Sequence, residues 1–167
     1  RDLKALSTTK GIIKNNEDRI FELIEVASLS RYIWQFYSGA LDLSTFPNVL
    51  ADGFNITKTY IALNINSLDQ SNKAVFKDIS SIEEETSTAI FLKQANIYNN
   101  YFNELPDDFE SLDTFQAVNI LQQNALSLYT SFSSSVILPE TSAKANFLFR
   151  NALNDLLIVN EEISSLM

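Results

Sequence analysis

The chain has 167 residues, 46% of them apolar, and a formal net charge of −9, which is sufficient for one domain with a sizeable core. The negative charge argues against unaided binding to nucleic acid or to an anionic membrane surface, because both partners attract positive charge. Cysteine and histidine are absent, which excludes thiol nucleophiles, Cys/His zinc sites and a Ser-His-Asp triad. We therefore expect a single domain, 1–167, without catalytic residues, a cofactor or a metal site.

The apolar residues recur mainly with a helical period. The sequence therefore predicts an all-α protein, an antiparallel up-and-down bundle of four to five helices. Helix 1 is predicted to extend to about Leu43, with a kink near Gly11 because glycine weakens a helix interior. Pro47 marks the first clear break, and helix 2 is predicted to begin at about Asn48. No segment predicts a sheet.

The end of helix 2 is less clearly marked than its start. A turn is predicted between Ser67 and Ser81, because this polar segment interrupts the apolar pattern without abolishing its helical spacing. Ser81-Ile-Glu-Glu84 has the form of a capping box that opens helix 3. Helix 3 is then predicted to continue to about Asn103.

The clearest loop of the sequence is 105–111, LPDDFES. Ser111 or Asp113 is a natural N-cap for helix 4, because both side chains accept hydrogen bonds from the free amides of a first turn. Pro139 precedes helix 5, whose apolar stripe persists to the last residue. That helix is expected either to continue past Met167 or to fray there.

An arginine on an apolar helix face is the most unusual local feature. One stripe of helix 1 is predicted to contain Ile20, Ile24, Ala27, Arg31, Trp34 and Leu41, widened by Leu23, Val26, Ile33 and Tyr37. Arg31 must then reach the rim, pair with a carboxylate or bind a ligand anion, because a buried unpaired charge is costly. A hairpin of helices 1 and 2 would bring Tyr60 toward this cluster. We predict Arg31, Trp34, Tyr37 and Tyr60 as contacts for a small organic anion or an amine, and a structural ion pair of Arg31 stays open.

Other polar features have plainer interpretations. The glutamates at 83–85 point in different directions on a helix and are predicted to be solvated charges of a first turn. Arg150 is predicted to be an exposed charge that pairs with a neighbouring carboxylate. Asn119 and Gln122 fall on the apolar stripe of helix 4, where they either fix the register, line a cavity or lie at a water-facing end.

The long first helix, the uncapped last helix and Arg31 with its aromatic neighbours resemble the periplasmic four-helix-bundle ligand-binding domains of bacterial chemoreceptors and sensor histidine kinases. In that family the first and last helices continue into two membrane spans, and arginines of the first helix bind amino-acid or organic-acid carboxylates at a dimer interface. The resemblance implies a periplasmic or extracellular sensor domain of an inner-membrane protein, active in chemotaxis or signal transduction. Its signal would be a helix displacement on binding a small organic ligand or a partner protein. A homodimer would be consistent with it, and the membrane would be reached only through flanking segments absent from this chain.

Two membrane spans require an even number of long antiparallel helices. The five predicted helices meet that condition if helices 2 and 3 form one bent helix, or if a break at 11–16 splits helix 1. The alternative class is a non-catalytic helical interaction module, such as a secreted, surface or secretion-system component. Its motivation is that the broad apolar stripe of every helix exceeds what one packing seam needs and leaves apolar surface for a partner.

Overall fold

The computed structural model describes the backbone of residues 2–37, 47–98, 108–131 and 139–166, and the side chains of 9–33, 56, 58–98, 108–131 and 143–166. Within these residues six helices and one hairpin form, in the order α1 (Asp2–Tyr37), α2 (Pro47–Ile79), α3 (Glu84–Leu92), β1 (Gln94–Tyr98), β2 (Phe109–Asp113), α4 (Thr114–Ser131), α5 (Pro139–Ala152) and α6 (Asp155–Ser165). The predicted all-α bundle is confirmed, with one small sheet added to it.

The bundle consists of four antiparallel segments, called rods below. The first three are the helices α1, α2 and α4, and the fourth is α5 followed by α6. Asn64 of α2 donates to the main-chain oxygen of Glu22 in α1 at 3.1 Å. Asn15, nearer the start of α1, donates to Asp78 near the end of α2 at 2.8 Å. Positions therefore rise along one helix as they fall along the other. The number of long rods among the described residues is four, because α3 and the hairpin together form only an insertion between α2 and α4.

The last rod runs antiparallel to the first. Asn16 of α1 donates to the main-chain oxygen of Asn160 in α6 at 2.8 Å. Further along α1, the guanidinium carbon of Arg31 lies 6.0 Å from the ring centre of Phe149 in α5. The early turns of α1 and the late turns of α6 therefore lie side by side at one end of the bundle.

Helix α1 runs without a break through Gly11, so helix 1 is not split at 11–16, and the kink near Gly11 stays a prediction. Its predicted stripe is confirmed at Leu23, Val26, Ala27 and Ile33, which are buried, and is wrong at Ile24 and Arg31, which are exposed. The buried face follows alternating steps of four and three residues: Ile12, Asn16, Arg19, Leu23, Val26, Ser30 and Ile33. A stripe chosen for apolar residues misses Asn16, Arg19 and Ser30, because these three of the seven positions are polar.

Helix α2 passes through the polar segment in which a turn was expected and ends at Ile79. It continues because Leu68, Ser71 and Asn72 keep the buried face of the helix. The turn follows directly, and α3 begins at Glu84 without a side-chain cap. The predicted capping box is therefore absent, and α3 ends well before position 103.

The hairpin contradicts the prediction that the chain contains no sheet. Its strands pair antiparallel, with Ala95 opposite Leu112 and Ile97 opposite Glu110. Ala95 and Ile97 are buried and alternate with less buried neighbours, which is the two-residue period of a strand. Five residues are too short a run to stand out among long helical patterns. Strand β2 also occupies part of the predicted loop.

Two helices replace the predicted fifth helix. The chain turns at 153–154 and restarts as α6, although the apolar stripe continues across the break. The buried residues Leu148, Ala152, Leu156, Val159 and Ile163 confirm that stripe. Before α4, Asp113 accepts a hydrogen bond from the main-chain nitrogen of Gln116 at 2.9 Å, which confirms it as an N-cap.

A second, smaller apolar cluster closes the end of the bundle where α1 begins. It contains Ile12, Val75, Ile79, Ile90, Phe115 and Ile163, so α3 contributes Ile90 as a lid over the rods. Among the described residues no helix combines the length and the hydropathy that crossing a bilayer requires.

Candidate ligand-binding site

The residues predicted to bind a ligand lie in different parts of the bundle. Arg31 is exposed near the end of α1, against Phe149 of α5. Tyr60 is half exposed on α2. No hydrogen bond, ion pair or ring contact joins Arg31 to Tyr60 within the described part of the chain. The backbone is helical at Trp34 and Tyr37, whose side chains lie outside the described residues. The ligand role of these four residues stays a prediction.

A cleft of about 350 Å³ opens on the last rod beside Arg31. It is lined by Asn146, Phe149, Arg150, Leu153 and Asn154, and none of these side chains is acidic. Arg31 of α1 does not line this cleft, but its guanidinium carbon lies 6.0 Å from the ring centre of Phe149, which does. Arg150 and the ring that Arg31 contacts thus belong to the same cleft.

The second guanidinium has a defined position. Arg150 is partly buried, and its guanidinium carbon lies 4.8 Å from the ring centre of Tyr98 in β1. A cation over an aromatic face is attracted by the ring quadrupole. The stacking therefore holds Arg150 at the edge of the cleft, where the sequence predicted an exposed charge.

The groups around this cleft suit a small organic anion. Guanidinium groups bind carboxylate oxygens through paired, charge-assisted hydrogen bonds. The amides of Asn146 and Asn154 supply further donors and acceptors, and the ring of Phe149 offers an apolar surface to a carbon skeleton. Charge, hydrogen bonding and apolar contact are therefore available within one opening.

A different arginine is buried at the centre of the bundle. Arg19 is fully buried, and its Nη1 donates to Asn72 Oδ1 at 3.0 Å. Its Nη2 donates to Asn16 Oδ1 at 2.9 Å and to Thr114 Oγ1 at 3.4 Å. The guanidinium carbon also lies 4.9 Å from the ring centre of Phe115. Arg19 therefore joins α1, α2 and α4 through neutral partners.

The same network continues into the last helix. The amide of Asn16, which accepts from Arg19, donates to the main-chain oxygen of Asn160 and to Ser164 Oγ, both at 2.8 Å. Asn160 in turn donates to the main-chain oxygen of Leu156 at 2.9 Å. Polar contacts thus join Arg19 to α6 at the end of the bundle where α1 begins.

This network is not fully satisfied. Within the described part of the chain, Arg19 forms no ion pair with a carboxylate, since its hydrogen-bond partners are Asn16, Asn72 and Thr114. Burial lowers the pKa of Arg19 to about 9, and the charge of Asp113 acts in the opposite direction. Arg19 Nε and Asn160 Oδ1 are buried without a hydrogen-bond partner. Unpaired buried groups cost free energy. An arrangement of the helices that gives these two atoms hydrogen-bond partners would recover that cost.

A second cleft, of about 410 Å³, lies between α2 and α4. Phe76 and Phe115 form its aromatic wall, and Asn72 links it to Arg19. Asn119 lines it and is exposed, which agrees with the cavity interpretation of that residue. Its charged residues, Asp69 and Lys73, already pair at 2.8 Å. The cleft beside Arg31 therefore carries the clearer ligand chemistry.

The buried network left a readable signal in the sequence. Asn16 and Arg19 lie four and seven residues after Ile12, and Leu23 and Val26 repeat these steps. A heptad stripe with polar members predicts a buried polar layer as well as an apolar one. The described residues contain no cluster of three or more metal-ligating side chains.

Comparison with known proteins adds no constraint on this arrangement. No protein-family model, no curated protein and no solved structure matches the chain.

Proposed function

We propose that this protein is a non-catalytic sensory domain that binds a small organic anion between its two terminal rods and signals by their displacement. The observation that carries the proposal is the cleft at Phe149, which Arg150 of α5 lines and whose Phe149 ring lies 6.0 Å from the guanidinium carbon of Arg31 in α1. The two guanidinium groups favour an anion over the amine that the sequence also allowed. Of the residues predicted as ligand contacts, we assign Arg31 to this site.

The position of the cleft suits signalling because its lining residue Phe149 contacts Arg31 of the first rod, so that a ligand in the cleft would lie next to both terminal rods. Ligand binding shifts a conformational equilibrium only through different contacts in the two states. A carboxylate held by Arg31 and Arg150 would be bound tightly only when α1 and α5 have the correct offset. Packed helices change offset by discrete repacking, and the unsatisfied atoms around Arg19 provide alternative partners for such a step.

The setting that we propose is extracytoplasmic, on the periplasmic or extracellular side of a membrane receptor. It rests on the resemblance to bacterial sensor domains and on the topology of four rods. Asn16 and Ser164, joined at 2.8 Å, place the early part of α1 beside the late part of α6. This is the geometry that two adjacent flanking membrane segments would require.

A second candidate function is an interaction module, and one surface favours it. Ile56, Tyr60 and Leu63 are all at least half exposed on α2. Their spacing of four and three residues puts them on one helix face. An exposed apolar row of this kind is typical of helix–helix docking. Under this alternative the predicted residue Tyr60 would contact a protein partner.

The ligand proposal is tested by thermal unfolding in the presence of acetate, succinate and benzoate, with the matching neutral amides as ligand controls. At least one acid should raise the Tm of the parent protein, and its amide should not. Arg31→Gln and Arg150→Gln should each weaken that binding about tenfold or more, because a hydrogen bond to a charged group contributes roughly 1.5–3 kcal/mol. Lys77→Gln is the matched control, an exposed cation on α2.

Two results would count against the proposal. One is that no acid of the panel raises the Tm of the parent. The other is that Lys77→Gln weakens binding as much as the two arginine variants, since the effect would then be one of overall charge. The receptor setting is tested separately from the gene, where apolar stretches of about 20 residues are expected on both sides of this segment.

A further inference from the structure

The two edges of the hairpin differ in the hydrogen-bond partners of their main-chain groups. On the β1 side, the main-chain nitrogen of Asn96 donates to Asp155 Oδ2 at 2.7 Å. The main-chain nitrogen of Tyr98 donates to Asn151 Oδ1 at 2.8 Å, and Asn151 Nδ2 donates back to the main-chain oxygen of Tyr98 at 3.1 Å. The amide of Asn151 thus pairs with β1 as a peptide group of a neighbouring strand would. This edge is occupied by α5 and α6.

The occupied edge fixes which groups of β2 face outward. In an antiparallel pair, residues directly opposite each other point their main-chain groups either toward each other or away from each other. The main-chain groups of Asn96 and Tyr98 point toward the helices. Those of their partners Ser111 and Phe109 therefore point to the opposite side of the hairpin. The amides and carbonyls of Ser111 and Phe109 therefore form the outer edge of β2.

That outer edge has no partner strand among the described residues. Phe109, Glu110 and Ser111 are all exposed. Within the described part of the chain, no group bonds to the main chain of Ser111 or Phe109 on this side. Unpaired main-chain groups of an edge strand are a template for another extended chain.

From this geometry we infer that the outer edge of β2 is a docking site for an extended basic segment of another protein, which adds to the hairpin as a third strand. The net charge of −9 and the exposed carboxylate of Glu110 favour a basic occupant. Phe109, 45% exposed, offers an apolar contact to an alternate side chain of the added strand. In the register that pairs Phe109 with Ser111 of a second copy, antiparallel β2 strands would place Glu110 opposite its own copy, and this like-charge contact disfavours that occupant.

This inference does not depend on the proposed ligand site, and its test uses a different probe. The probe is a fluorescently labelled eight-residue peptide of alternating Lys and Val, titrated with the whole chain and followed by fluorescence anisotropy. A matched peptide carries N-methyl groups on alternate residues, which removes the donors of one edge. We expect the first peptide to bind and the N-methylated peptide to bind at least about fivefold more weakly, since each lost hydrogen bond is a factor of roughly two to ten.

Two variants at position 111 distinguish the contribution of the main-chain amide to peptide binding from that of the serine side chain. Ser111 Oγ donates to Asn96 Oδ1 at 2.6 Å, and Ser111→Ala and Ser111→Pro both remove that bond. Only proline also removes the outward amide, which an edge position tolerates. Ser111→Ala should bind the Lys–Val peptide as the parent does, and Ser111→Pro should bind it at least about fivefold more weakly.

The inference is overturned if the parent does not bind the Lys–Val peptide. It is also overturned if the N-methylated peptide binds equally well, or if alanine and proline at 111 weaken binding to the same extent. Circular dichroism checks that Ser111→Pro is folded. If it is not, the comparison of the two peptides on the parent protein decides alone.

Discussion

Arg19 of α1 and Asn72 of α2 are joined by a 3.0 Å hydrogen bond at the buried centre of the bundle. Asn72 also donates to the main-chain oxygen of Phe115 in α4 at 3.3 Å, so the pair bridges three rods. A layer of this kind fixes how the rods align, because a slipped arrangement would place the guanidinium against apolar side chains.

Replacing Arg19 with methionine should lower the free energy of unfolding by about 2–4 kcal/mol. The change leaves the acceptors of Asn16, Asn72 and Thr114 without their donor, and an unpaired buried group costs roughly 1–3 kcal/mol. Urea denaturation followed by circular dichroism measures the loss. The double variant with Asn72→Leu should recover part of it, because replacing both partners with apolar groups is often nearly neutral.

Arg31→Gln is the matched control for this experiment, an arginine of the same helix that is exposed. Its effect on the free energy of unfolding should stay within about 0.5 kcal/mol. Equal losses in Arg19→Met and Arg31→Gln would contradict the structural role of the buried layer.

Glu22 should destabilise the fold at neutral pH. Burial raises the pKa of Glu22 above its ordinary value of 4.5, with Asp18 and Glu25 adding to the rise and the hydrogen bond from Ser71 opposing it. The folded state therefore binds this proton more tightly than the unfolded state. The free energy of unfolding then falls as the pH rises from 4.5 through the higher folded pKa.

Glu22→Gln should consequently be more stable than the parent at pH 7, by less than about 1 kcal/mol because the site is partly solvated. The advantage should disappear well below pH 4.5, where the parent carboxyl is protonated in both states. Urea unfolding at both pH values measures it. Glu17→Gln, at an exposed position of the same helix, is the control, and an equal gain there would point to general charge relief instead.

Asn151→Leu should loosen the hairpin from the last rod. The change removes both hydrogen bonds to the main chain of Tyr98 and leaves the edge of β1 held only at Asn96, by Asp155. We expect a loss of about 1–3 kcal/mol and faster hydrogen exchange at the amide of Tyr98. Asn154→Leu is the control, because exposed Asn154 bonds only within its own turn, to the oxygen of Arg150 at 2.7 Å. Unchanged exchange at Tyr98 in Asn151→Leu would refute the role of this amide.

Gly11→Ala should stabilise the protein by roughly 0.5–1 kcal/mol, because alanine loses less backbone entropy than glycine in a helix interior. Nothing lies within 4 Å of the Cβ that alanine would add. A melting curve measures the gain. A lower Tm in Gly11→Ala would indicate that α1 is bent at this point, as its sequence suggested.

The helical class and the connections marked by proline followed from the sequence, because long periodic patterns and Pro47 act locally. The rotation of α1 did not follow. The sequence pattern placed Arg31 on the apolar face of α1 and left Arg19 outside it. A local pattern cannot show that Asn72 and Thr114, on other helices, are positioned to accept hydrogen bonds from the Arg19 guanidinium. Partners that lie 53 and 95 residues away along the chain decide that burial.

The candidate site was predictable only in part. The sequence pointed to Arg31 beside aromatic side chains, and the aromatic ring that the described structure places against it is Phe149, 118 positions further on. The hairpin was missed because its edge is completed by Asn151 and Asp155, side chains of helices, and no strand signal exists in those residues.

Asn16 and Asn160 meet across a separation of 144 residues. Such distant partners find each other late, because the intervening chain must first be drawn together. During synthesis the first three rods therefore emerge with Ile12 and Phe115 lacking the cover of Ile163. We expect the nascent chain to need protection from self-association until α6 has left the ribosome, and slow final closure to dominate its refolding in vitro.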